Sequence, residues 1–546
     1  MELDQGLIGY WPFREDCEDH SCSGLSVRNI NVKLAAVEPG GPHSTAARFN
    51  GVDSHLLVED HPTLHLSTGD FSMALWVHTD EKDGDNVGDL LCKFDSEARR
   101  GFGLSVVTNG GVTTTTQANY RNVHFGIDCG QMDPTWTDRG RPGNAVKIAA
   151  LHVSEGQLYA GTFELGAEEM GHLWLYEGDQ RWKDLGASPD QSNAIPSITR
   201  FDGALYCSTG RYNAIGSALG ETQNTHPGGR VYRVEPDGAW TDCGHPGAED
   251  ATPEEKPVSG YETGKADDAM SLTVFRGELY VTSNHRRGAF KYEGERNWRY
   301  IGPDLRILSF TVYRQALYAL INGGPVYRYE GGCDWTYCGA PATSTQTYSA
   351  VIYGGNLYVG TWPEGELYRY DGGETWTNIG RVGYEREIMA MAVYNHKVYV
   401  GALPMANIYR MDGGGFSFVG NLDNTPTAIL RRVWSMAVYD GKLFGGTLPS
   451  GHVLSLQAGV MATCDRALPS GWHHLAAVRD RDQIKLYMDG QFVATSSTFN
   501  TADYDLTHPQ PMMIGSGAYT PFHGAMSDVR LYNRALTERE IATLMG

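Results

Sequence analysis

Basic residues are scarce in this 546-residue chain: 44 Lys and Arg face 65 Asp and Glu, a formal net charge of −21. Polynucleotide binding depends on clustered cations that displace counterions, so this balance excludes nucleic acid as a partner. It leaves room for an acidic sugar held in a locally basic cleft. Long apolar runs are absent as well. No stretch reaches the roughly 20 apolar residues of a membrane helix, and the opening "MELDQGLIGYW" has neither the basic nor the apolar region of a signal peptide. The expectation is a mature chain whose leader has been removed, destined for secretion, the periplasm or the cell surface, with a cytoplasmic protein as the alternative. Oligomeric state is not legible. Nine cysteines are too sparse for a disulfide framework. Cys333 and Cys338 share one extended segment and, at about 3.3 Å per residue, stand too far apart to bridge. Cys17 and Cys22 sit in a loop where pairing is feasible. Helical periodicity is confined to "ALTEREIATLM", where Thr537 caps and Glu540 follows three residues later.

What the chain has in quantity is Gly (67), Tyr (30) and Trp (12), set among short apolar runs, a composition of strands and turns. A unit recurs seven times: an alternating strand, a turn of the form x-Gly-x, then Leu or Val before an aromatic. The markers are Tyr159, Tyr206, Tyr280, Tyr318, Tyr358, Tyr399 and Phe444. Third and fourth strands follow in most copies, as in "ELYRYDGGETWTNIG". Four strands in roughly 40 residues is the pattern of a β-propeller blade. The seventh copy stops after "HVLSLQAG", and its missing strand stands at the other end of the repeat region in "DPTWTDRGRPG". The expectation is seven blades, the last closed by a strand from the start, which leaves no exposed sheet edge.

The flanks carry a different pattern. "GLIGYWPF", "AARFNGVDSHLLVED", "GDFSMALWVHTD" and "GFGLSVVTNG" precede the repeats, and "GWHHLAAVRDRDQIKLYMDGQFVATSS", "PMMIGS" and "FHGAMSDVRLYNRALTEREIATLM" follow them. These segments resemble successive strands of the laminin-G-like, concanavalin A-type jelly roll. The resemblance implies an all-β chain, a seven-bladed β-propeller inserted into a concanavalin A/laminin-G-like β-sandwich. The boundaries are 1–129 and 459–546 for the two parts of the sandwich and 130–458 for the propeller. "NVHFGID" and "GVMATCD" become neighbouring strands, and Cys129 and Cys464 flank the two seams, where they are either a disulfide or two free thiols. Insertion at a hairpin tip is tolerated because the ends of the insert are already close together. Laminin-G-like domains often hold Ca²⁺, which makes Asp53, Asp70 and Asp528 candidate ligands of a structural ion. No other cofactor is implied.

Function has to be argued from sites, since both folds host many activities. One position read around the seven first strands holds Lys147, Ala194, Asp268, Arg306, Gln346, Glu387 and Arg432, five of them charged. That is either a channel lined by solvated charges or a polar binding floor, with Asp268 and Glu387 as an acid and base pair for glycoside hydrolysis. Glu164 and Trp362 stand at the ends of second strands. Long loops in compact repeats tend to carry function, and here they fall on repeats two and three. These loops gather Arg211, Tyr212, His226, Tyr261, Lys265, His285, Arg286 and Arg287. His and Tyr suit the removal of the proton beside a uronate, and Arg clamps and neutralises its carboxylate. The expectation is a carbohydrate-active enzyme that degrades an acidic polysaccharide by β-elimination at repeats two and three. His285, Tyr212, His226, Arg211 and Asp268 are the catalytic candidates, and the remaining charged and aromatic residues bind substrate. A glycoside hydrolase and a module that only binds glycan or protein are the alternatives.

Overall fold

The structure is a computed structural model that describes residues 2–37, 41–82, 87–110, 115–130, 135–212, 219–220, 222–224, 226–247, 269–283, 288–342 and 344–546. The fold is all-β, a propeller-like arrangement of blades together with a concanavalin A-like sandwich. Its one α-helix among the described residues, Glu538–Thr543, carries the capping box expected of Thr537 and Glu540. No helix among those residues is long and apolar enough to cross a membrane.

Two sheets make the sandwich, and both mix strands from the two ends of the chain. Phe71–Thr79 lies between His523–Tyr532 and Gly471–Asp480 in one. In the other, Asn119–Cys129 pairs with Arg100–Asn109 on one side and with Val460–Ala467 on the other, Val460 opposite Ile127. Alternating side chains from both sheets meet in one core. There Phe71 lies 4.9 Å from Phe102 and 5.9 Å from Phe125, ring centre to ring centre.

Repeats two to seven each fold as a separate four-stranded antiparallel sheet, so six blades stand apart. Thr137–Asp138 supplies the fourth strand of repeat seven by pairing with Val453–Leu456. The four strands of repeat one, from Lys147–Ser154 to Trp182–Ala187, are equally antiparallel but run into the large sandwich sheet. The link is a single parallel bridge between Val153 and Asn119.

That bridge is part of a larger contact. Residues 109–110 and 115–119 stand between the sandwich and the lower end of the propeller, where amide side chains take the place of missing strands. Asn119 donates from Nδ2 to Val438 O at 2.7 Å and accepts from Val438 N at 2.9 Å. Asn109 does the same to Val393, at 2.9 Å each way, and Gln117 to Val274, at 2.7 and 2.9 Å. The three valines occupy the same place in the inner strands of repeats seven, six and three. Val153 of repeat one donates to Ala118 O, and Thr115 Oγ1 reaches Pro196 O of repeat two. Asn109, Gln117 and Asn119 are all fully buried, so each of these bonds is made away from water. On the side of repeats four and five a cavity of about 20 Å³ remains, room for one water.

The structure decides between the alternatives left open for the cysteines. Cys464 lies opposite Val123, whereas Cys129 stands at the far end of the same strand, opposite Arg100. At about 3.3 Å per residue the two are roughly 20 Å apart, and no disulfide joins them. Cys17 and Cys22 are free as well: the first is buried against the sandwich core and the second is exposed.

Replacing Asn119 by Leu leaves both polar groups of Val438 buried and unpaired. The expected outcome in urea titrations is a loss of about 3 kcal/mol of stability, whereas an exposed amide such as Asn378 changes little on the same replacement.

Candidate functional site

The register of the repeats explains why Lys147, Glu387 and Arg432 meet at one end of the channel. The first residue of each inner strand pairs with the last residue of the second: Lys147 with Phe163, Gln346 with Trp362, Glu387 with Leu403, Arg432 with Leu448. In each of these four repeats a register shift follows immediately, between the second and fourth residues. Lys147, Glu387 and Arg432 thus share one level of the propeller, at the end away from the sandwich. Ala194 holds the corresponding place in repeat two, bridging Phe163 and Gly210. Gln346 is tied to Asn322 at 2.9 Å.

Tyr212 comes from the long loop of repeat two and enters the pit. Asn193 fixes its backbone twice, accepting from Tyr212 N at 2.8 Å and donating to Tyr212 O at 3.0 Å. Its ring meets Phe163 edge-on at 4.9 Å and Trp434 at 5.6 Å. Together the three rings box in the Lys147 ammonium, with Nζ 3.2 Å from the Tyr212 centroid, 4.1 Å from Trp434 and 5.5 Å from Phe163. Arg432 donates from Nη1 to the Tyr212 hydroxyl at 2.9 Å, and its guanidinium carbon lies 5.6 Å from the Trp434 ring.

Electrostatics separate the charges. Burial pushes the Glu387 carboxyl up to about 8, against the pull of Arg432. Near neutral pH it is an un-ionised acid beside a guanidinium. Burial opposes the Arg432 cation, but Tyr212 and Glu387 outweigh it and raise its pKa. Burial, and then Glu387, raise the hydroxyl pKa of Tyr348, two residues beyond Gln346, against the pull of Arg432 and Arg306. Among the described residues, Glu387 Oε1, Arg432 Nε and Trp434 Nε1 are buried with no hydrogen-bond partner. Unsatisfied groups of three kinds in one pit are what a polar ligand would complete.

The other candidates lie elsewhere. Glu164, at the outer side of Phe163, is pushed up to about 8 by burial and by a hydrogen bond with Glu169. Trp362 stacks on Arg386, whose guanidinium carbon lies 4.6 Å from the ring. Arg211 is half-buried beside Tyr212, and His226 is exposed, its backbone N–H bonded to Asn224 Oδ1. Tyr261, Lys265, Asp268, His285, Arg286 and Arg287 lie outside the described residues. The Ca²⁺ candidates are scattered: Asp53 accepts from Asn31 and Asn50, Asp70 from Arg481 N, and Asp528 from Tyr10 while it pairs with His43. No group of three or more His, Cys, Asp or Glu suited to a metal occurs among the described residues. Phe163, Tyr348 and Trp434 were missed by the sequence reading. Trp434 and Tyr348 stand at the third residue of the inner strand, so reading that position around the same alignment finds both.

Residues 455–542 match the family model described as the concanavalin A-like lectin/glucanases superfamily. No curated protein matches the chain significantly. Solved structures similar to it include YCF48 from Cyanidioschyzon merolae, 13% identical, covering 59% of this chain and 98% of that one with a TM-score of 0.39. The Mitotic Checkpoint Complex yields a chain 12% identical, with coverages of 60% and 94% and a TM-score of 0.40. The computationally designed Ika8 protein is 10% identical, with coverages of 59% and 99% and a TM-score of 0.35. At these scores no residue of theirs is carried over to this chain.

Glu387 also makes a measurable pH signature. Its carboxyl ionises near 4.5 when unfolded and at about 8 when folded, so the penalty for burying it is absent below pH 4.5 and grows as pH rises toward 8. Thermal midpoints of Glu387→Gln and the parent should lie closest together below about pH 4, and the variant should be clearly the more stable by pH 8.

Proposed function

We propose that the protein is a carbohydrate-active enzyme that cleaves an acidic, uronate-containing polysaccharide by β-elimination at the mouth of the propeller channel. The observation that carries this reading is the cluster of Arg432, Tyr212 and the un-ionised Glu387 beside the boxed Lys147 ammonium. A uronate carboxylate needs cations to neutralise it, and Arg432 offers an unpartnered Nε. Tyr212, as phenolate beside Arg432 and Lys147, takes the proton from the carbon next to the carboxylate. The bond from the adjacent carbon to the glycosidic oxygen then breaks as a double bond forms, and Glu387 gives its proton to the departing oxygen. The chain of Tyr212 comes from repeat two, in keeping with the expectation for that loop, but its working partners belong to repeats one, six and seven.

The finer architecture belongs to the same proposal. Repeat one acts as a seventh blade, supported by four antiparallel strands in the register of the others. The whole propeller is an insert in the sandwich, supported by the pairing of Asn119–Cys129 with Val460–Ala467. The sandwich is the rigid base or a sugar-binding accessory, and the protein acts outside the cytoplasm. A hydrolase is the second reading, favoured by one observation: a carboxyl raised to about 8, as Glu387 is, suits the general acid of glycoside cleavage.

The test is incubation with uronate-containing and neutral polysaccharides, following the absorbance of unsaturated ends and the release of reducing ends in parallel. Both should rise on an acidic polymer, and Tyr212→Phe should lower the rate about 100-fold or more with the thermal midpoint little changed. Reducing ends alone favour the hydrolase, and retention of glycan with no release favours a module that only binds.

A further inference from the structure

Arginines in the described repeats follow a rule. On the third strands each is neutralised by a carboxylate two residues on: Arg233 by Glu235, Arg328 by Glu330, Arg369 by Asp371 and Arg410 by Asp412, all at 2.7 to 2.8 Å. On the rim of the pit the rule is broken. Among the described residues Arg386 and Arg431 have no ion pair, and Arg431 Nε is buried with no hydrogen-bond partner. In a chain of net charge −21, these two leave positive charge uncompensated on the rim.

The loops that carry them are tied into one ridge. Arg386 N donates to Leu403 O at 2.8 Å, Arg431 N to Pro404 O at 3.0 Å, and Ala406 N back to Arg431 O at 3.1 Å. Large apolar side chains stand out of this ridge. Tyr384 is 94% exposed, Ile429 60% and Met405 45%, and Arg431 Nη2 lies 3.3 Å from the Met405 sulfur. Arg386 packs over Trp362, which holds its guanidinium at the rim. Of the carboxylates beside the ridge, Glu385 is turned inward, where it accepts from Asn407 at 2.6 Å, and Glu364 of repeat five is exposed.

We propose that this ridge on repeats five to seven is an extended set of subsites for further units of the acidic polysaccharide, leading away from the pit. It rests on the proposed function for the identity of the chain it holds. Two chemistries alternate along the ridge, and a uronate polymer offers both. The C–H face of a sugar ring packs on an exposed aromatic such as Tyr384, and its carboxylate meets the forked donors of Arg386 and Arg431. A nucleic acid would meet the repulsion of the whole molecule, and a protein partner would need a broader continuous apolar patch than single residues on three loops.

The experiment compares the parent with Tyr384→Ala and with Arg386→Ala/Arg431→Ala, all as full chains. Affinity is measured against immobilised polygalacturonate, alginate and hyaluronate, with dextran as the neutral probe, and turnover on uronate polymers and oligomers of defined length. The expected result is retention of the parent on at least one polyuronate and not on dextran, with affinity about tenfold weaker in each variant and thermal midpoints unchanged. Where turnover is seen, the loss in kcat/KM should grow with chain length. Equal affinity of parent and variants, equal binding of dextran, or no retention on any polyuronate overturns the ridge. Rim-dependent retention without unsaturated product keeps the ridge and overturns the lyase reading, so the two failures are told apart.

Discussion

Three side-chain amides hold this molecule together in a way no apolar contact does. Asn109, Gln117 and Asn119 each present a donor and an acceptor to one residue of an inner strand, at Val393, Val274 and Val438. A primary amide matches a peptide group in shape and polarity, so it completes a strand edge that would otherwise face a void. Buried as they are, these bonds have little alternative in water, and they fix the rotation of the propeller on the sandwich as well as its position. The alignment of the pit with respect to the rest of the chain follows from that clamp.

Above the clamp, geometry is passed upward by the repeats. In repeats one, five, six and seven the inner strand starts at the same height and shifts its register at the same place, which brings first and third residues to the channel mouth. A single rule of backbone pairing therefore sets a lysine, a glutamate, an arginine, a tyrosine and a tryptophan into one small volume. The loop of repeat two adds Tyr212, held by Asn193 rather than by a strand. Low polarity then does the chemical sorting: it leaves Glu387 neutral and Arg432 charged in close proximity.

Much of this was legible in the residues. The aromatic markers located the repeats, the orphan "TWTD" predicted its pairing with repeat seven, and the flanking motifs predicted sandwich strands that join across more than 300 residues of intervening chain. Lys147, Glu387 and Arg432 were found by reading one column of the alignment. What stayed hidden depended on distances that sequence does not encode. Cys129 and Cys464 look adjacent at the seams, yet antiparallel register sends them to opposite ends of a shared strand. The aromatic box needed the third column and a second-strand terminus, Phe163, whose partner is known only from pairing. The clamp was invisible for a similar reason, since Asn109, Gln117 and Asn119 read as ordinary turn residues until the blades surround them.

The segment that carries the clamp also occupies the axis of the propeller. Residues 115–119 bond to inner strands on repeats one, two, three and seven, so the passage that other ring-shaped assemblies use as a thoroughfare is here a cul-de-sac. Anything bound at the mouth arrives and departs through the same opening. For the polysaccharide proposed above, this geometry means a chain laid across the entrance rather than threaded through it, with a short stretch reaching Arg432.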